Sequence, residues 1–74
     1  MVNPRDVLQA AVAEAASAII VVHNHPSGDP EPSADDIRVT KRIREACDLT
    51  GIRLLDHLVI GEEGFTSLAE SKKL

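Results

Sequence analysis

Apolar positions at the start of the chain recur with helical spacing. Val7, Leu8, Ala11, Val12 and Ala15 fall at i, i+1, i+4, i+5 and i+8, while Arg5, Asp6, Gln9 and Glu14 lie away from that face. Asn3 followed by Pro4 supplies an N-cap and a proline at the first helical position. The pattern therefore predicts a helix over 4–16. The period then changes. Ala18 to His23 is a short apolar run rich in β-branched Ile19, Ile20, Val21 and Val22, which reads as a strand covered on both faces. Alternation along an extended chain puts Val21, His23 and His25 on one side and Val22 and Asn24 on the other.

A loop over 24–32 follows, with Pro26, Pro30 and Pro32 and the single glycine Gly28. Each proline fixes its own φ and biases the residue before it away from helix, so His25, Asp29 and Glu31 are restrained as well. Such rigidity serves either to position something or simply to punctuate a strand-to-helix connection. Ser33 then has the chemistry of an N-cap, with Asp36 three residues on as a capping-box variant. The helix it opens is expected to run to about Thr50, with Gly51 as its C′ residue. Asp36, Thr40, Ile43 and Cys47 form an inward stripe flanked by Val39, Ala46 and Thr50, and Arg38, Lys41, Arg42, Glu45 and Asp48 form the wet face. A second strand is expected over 53–60, a turn at 61–64, a short returning strand over 65–67, and a helical turn or frayed end beyond it.

Size and composition narrow this picture. With 74 residues there is room for one small domain, and a core of this size is marginal without a metal, disulfide or partner. The lone Cys47 excludes an intrachain disulfide. No apolar run approaches the roughly 18 residues of a membrane span, and no signal-peptide pattern is present, so the default expectation is a cytoplasmic protein without membrane insertion. A net charge of −4 argues against nucleic-acid binding through the phosphate backbone, and Phe65 as the only aromatic leaves no platform for base stacking.

Candidate chemistry concentrates in His23, His25 and Asp36. Each residue has an ordinary account. His-x-His can be polar residues at a strand exit, and an aspartate in the first turn of a helix complements the macrodipole. Ser33 is explained as a cap, and His57, beside Asp56 in the second strand, as a satisfied structural histidine. Their conjunction changes the balance. Asp36 points inward with core residues, where a carboxylate is costly unless paired, hydrogen-bonded or bound to a metal. Two imidazoles from a strand and one carboxylate from the next helix describe a catalytic-type zinc site with an open fourth position.

The run His23-x-His25-Pro26, then Ser33-x-x-Asp36, resembles the JAMM motif of the JAB/MPN metalloprotease fold. HNHPSGDPEPS, the DD-I-R-x-T-K-R helix, LLDH at 54–57 and F-T-S at 65–67 are similar, more narrowly, to the RadC family of bacterial proteins, over essentially the whole chain. The resemblance implies an α/β fold of three layers, with a central sheet flanked by helices. It implies Zn2+ held by His23, His25 and Asp36, and Ser33 hydrogen-bonding the developing oxyanion or the metal-bound water. The activity it implies is hydrolysis of peptide or isopeptide bonds in a peptide or protein substrate.

One element of that mechanism is missing from the pattern. JAMM sites use a glutamate general base on a strand upstream of the histidines, and the only acids before His23 are Asp6 and Glu14. Glu14 falls on the polar face of the first helix. Residues 1–74 are therefore expected to be an N-terminally truncated, partial JAMM/MPN domain, with a sheet edge open to a second copy. The alternative is a non-catalytic interaction module, tied to DNA repair by the family's name alone. The basic residues of helix 34–50 are interleaved with acids and read as a solvated face.

Overall fold

A computed structural model describes residues 3–74. The elements run α1 (Pro4–Ala13), β1 (Ala18–Asn24), α2 (Ala34–Leu49), β2 (Arg53–Ile60) and β3 (Phe65–Ser67). The start of α1 is as its sequence predicts: the Asn3 side chain accepts from the Arg5 N–H at 2.9 Å and Pro4 follows it. Its end comes three residues before the expected 16. Ala15 takes the left-handed conformation (φ 51°), the Ala16 N–H reaches back to the Ala11 carbonyl and the Ala15 N–H to that of Val12. This closure satisfies carbonyls the helix end would otherwise orphan. Alanine in that conformation costs about 1–2 kcal/mol relative to ordinary backbone, and no residue type marks the stop.

The same closure ends α2 with the residue the sequence points to. Gly51 (φ 75°) stands at C′, and the Ile52 N–H bonds the Cys47 carbonyl at 2.9 Å. At the other end, Ser33 and Asp36 form a reciprocal capping box. The inward stripe is as expected: Thr40, Ile43 and Cys47 are buried, and the wet face is exposed throughout.

β1 and β2 are parallel, joined through α2, and β3 returns antiparallel, giving a mixed sheet of order β1-β2-β3. The register places Ile19 opposite Leu54 and Ile20 opposite Asp56, so Leu55 bulges out between them. Ala11, Val21, Ile43, Cys47 and Ile52 form the core between the helices and one face of the sheet. Most of the opposite face is exposed, although Ser67 on it is buried beside Asp56. Ile20 is 54% exposed, Val22 51% and Phe65 61%.

This corrects the expectation of a strand covered on both faces. The apolar run at 18–23 has the composition of a doubly buried strand, but α1 and α2 both pack on one side of it. The described residues form an α/β arrangement with helices on a single face, rather than the three layers anticipated. No helix among them is long and apolar enough to cross a membrane.

Candidate metal centre

The parity of β1 sends Val21 and His23 toward the helices. His25 follows because the chain stays extended past the last strand residue, its N–H bonding the Ile60 carbonyl at 3.0 Å. The loop then folds back on itself. Nδ1–H of His25 donates to the Asp29 carbonyl at 2.8 Å, and the Gly28 N–H returns to the His25 carbonyl at 2.9 Å. A carbonyl can only accept, so the hydrogen of His25 belongs on Nδ1 and Nε2 faces the site.

Asp36 enters from the first turn of α2. Its Oδ2 accepts the Ser33 N–H at 2.8 Å and lies 2.8 Å from Nε2 of His25, while Oδ1 stands 3.3 Å from Nε2 of His23. One ligand atom from each of His23, His25 and Asp36 lies within 4.8 Å of the others. The two rings tilt at 59° with centroids 5.0 Å apart. A cleft of about 200 Å³ opens over them, lined also by Asn24, Pro26 and His57.

The electrostatics suit a pair sharing charge. His25 is held above its ordinary value, first by the Asp29 carbonyl on Nδ1 and further by Asp36, against the effect of burial. For Asp36 burial pushes upward, but the Ser33 amide and hydroxyl, then His25 and His23, outweigh it and hold the carboxyl below its ordinary value. His57 is depressed, by burial first and by His23 next, and so stays neutral.

His23, His25 and Asp36, the three residues expected to act together, are brought together. Ser33 lies beside them but outside the cleft lining. Its Oγ accepts the Asp36 N–H at 3.0 Å as part of the capping box, and its hydroxyl helps to hold the Asp36 carboxylate charged. Glu14 is the exposed C-cap of α1 and does not line the cleft. His57 is a satisfied buried histidine, as its sequence position suggests, but its partner is His23: Nε2 lies 2.7 Å from Nδ1 of His23. Its other nitrogen meets Thr40 Oγ1 at 2.5 Å. Thr40 was visible on the inward stripe four residues after Asp36. The meeting of His57 with His23 follows from pairing between distant strands and leaves no local signal.

A family model described as a RadC-like JAB domain matches residues 1–74. Among curated relatives, the UPF0758 protein of Syntrophotalea carbinolica is 54% identical over 70 residues, which is 95% of this chain and 31% of that protein. That of Geotalea uraniireducens is 56% identical over 70 residues, with the same 95% and 31% shares. That of Alkaliphilus metalliredigens is 53% identical over 74 residues, covering 100% of this chain and 32% of its own length. The chain thus spans about a third of the length of the curated relatives it matches. With the whole chain matched and identities above one half, the chain belongs to the RadC-like JAB domain family.

Proposed function

We propose that this chain carries the zinc-binding part of a JAMM-type hydrolase that cleaves peptide or isopeptide bonds. The observation that carries the reading is the convergence of His23, His25 and Asp36, with Nδ1 of each histidine already engaged elsewhere. Tetrahedral zinc with bonds of about 2.0–2.1 Å sets its donors about 3.3 Å apart. His23 Nε2 stands 3.3 Å from Asp36 Oδ1 and His25 Nε2 2.8 Å from Oδ2. With one ligand atom of each residue within 4.8 Å of the others, small side-chain rotations bring three donors to that spacing.

Bound there, zinc supplies Lewis acidity for the scissile carbonyl and for the attacking water. The chain's own residues do the rest. His23 and His25 present lone pairs on rings whose far sides are anchored, and Asp36 contributes negative charge from a carboxylate fixed by the Ser33 amide. The Ser33 hydroxyl, turning from the Asp36 carboxylate toward the carbonyl oxygen, stabilises the charge developing there. The general base and the remaining layer come from parts of the JAMM-type domain other than these residues. The exposed part of the sheet face and the outer edge of β1 are the surfaces on which they pack.

Metal analysis of the purified chain beside His23→Ala, His25→Ala and Asp36→Ala tests the ligand set. We expect bound zinc in the parent and its loss in each variant; equal zinc in all four sinks the assignment. Turnover of peptide and isopeptide substrates by a zinc-loaded full-length relative tests the chemistry. There, replacing the serine equivalent to Ser33 by alanine is expected to lower kcat by about 10²–10³-fold. One observation favours a second reading, a non-catalytic interaction module: among the described residues no glutamate lines the cleft. Inactivity across a broad substrate panel would decide for it.

A further inference from the structure

Thr40 and His57 are fully buried behind the candidate ligands and hydrogen-bonded in line with His23. The order of that line governs where its hydrogens sit. The Thr40 hydroxyl has one hydrogen and donates it to the Asp36 carbonyl at 2.7 Å. Its oxygen then accepts from Nδ1–H of His57 at 2.5 Å. A neutral imidazole with its hydrogen on Nδ1 has a bare Nε2, and that of His57 accepts from Nδ1–H of His23 at 2.7 Å. His23 is left with a lone pair on Nε2, the nitrogen that faces Asp36.

A second arrangement fits the same heavy atoms. If Thr40 donates to Nδ1 of His57, then Nε2–H of His57 donates to Nδ1 of His23, and the hydrogen of His23 moves to Nε2. No ring turns, no charge changes, and each hydrogen shifts by one place. In that arrangement His23 points an N–H at Asp36 and cannot ligate. The two settings differ in what Thr40 does with its hydrogen, and the carbonyl that receives it in the open setting belongs to Asp36 itself.

Resting on the metal reading above, we propose that Thr40 and His57 are positioning residues that set the tautomer of His23. The back-bond from Thr40 to the Asp36 carbonyl holds His57 as an acceptor, and His57 in turn keeps Nε2 of His23 open to a divalent cation. Metal-ligating histidines commonly depend on the partner of their second nitrogen. In this chain that partner is another histidine whose own tautomer is fixed one step further back, by a helix threonine.

Nitrogen-15 NMR of the imidazoles in the zinc-loaded 74-residue chain reads the setting directly. We expect hydrogens on Nδ1 of both His23 and His57; a hydrogen on Nε2 of His57 overturns the proposal. Zinc affinity, measured by competition with a chelator, reads the consequence. Thr40→Val keeps the side chain's shape and removes the hydroxyl, and is expected to weaken zinc binding about 10- to 100-fold. Thr40→Ser should restore most of it. His57→Gln, which retains an acceptor near Nε2, should bind more tightly than His57→Leu. Unchanged affinity in Thr40→Val, alongside zinc loss in His23→Ala, overturns the relay and leaves the metal reading standing. Undiminished zinc in both His23→Ala and Asp36→Ala overturns the metal reading, and the relay with it.

Discussion

Asp56 sits one position ahead of the buried His57, and its carboxylate gathers three donors. Oδ1 accepts the His57 N–H at 2.7 Å and the Ala69 N–H at 3.0 Å, and Oδ2 accepts the Ser67 hydroxyl. Burial pushes this carboxyl up, but the Ser67 hydroxyl and the two amides outweigh it and hold the value below the ordinary 3.8. A depressed carboxylate adds stability that is present above its unfolded value and lost as pH falls through the folded one. Asp56→Ala should therefore lose about 2 kcal/mol near neutral pH. The gap between parent and variant should close as the pH falls through and below 3.8. Urea unfolding of both proteins across that range checks the sign. At this scale the convergence of His23, His25 and Asp36 is legible, because His-x-His on a strand and an inward aspartate on a helix follow from local periodicity. The positions of His57 against His23 and of Asp56 against Ser67 depend on strand pairing, which local spacing does not encode.

The elements are more legible in the sequence than their ends are. α2, β2 and β3 lie where periodicity and turn residues put them, since each is bounded by a serine, a glycine or a turn cluster. α1 stops early because an alanine, chemically indistinguishable from the helix around it, takes the closing position. The loop between β1 and α2 is held by a neighbour the sequence pattern does not reveal. The Glu62 N–H donates to the Gly28 carbonyl at 2.8 Å, pinning the loop to the β2–β3 turn. A Cβ at Gly61 would stand 2.4 Å from the Gly28 carbonyl oxygen and 2.6 Å from Pro30 Cδ. Backbone must therefore move if that glycine is replaced. Gly61→Ala should cost about 1–3 kcal/mol, read from the denaturant midpoint. On the proposed metal reading it should also weaken zinc binding, because the displaced segment carries the Asp29 carbonyl that orients His25.

For the whole molecule, what governs behaviour is the uncovered side of the sheet. Ile20, Val22 and Phe65 are exposed there, and among the described residues β1 has no partner on its outer edge. The run at 18–23 has the composition of a doubly buried strand, and composition alone does not say which chain segment supplies the second cover. An open edge beside apolar surface is a template for pairing. Studied by itself, the chain is expected to cover this surface with a second copy of itself. Sedimentation velocity should show concentration-dependent association, and the double variant Ile20→Lys, Val22→Lys should shift it toward monomer with zinc affinity retained. Association undiminished in that variant would place the contact elsewhere.

The capping box gives Asp36 two duties at once. One oxygen takes the amide that opens α2, and the other faces His23. On the proposed reading, the first stitch of a helix is also one wall of an ion cage. Loading the cage then stiffens the opening turn of α2, and fraying that turn lets the ion leak. A chelator should thus quicken amide exchange at the head of the helix well before it disturbs the far end.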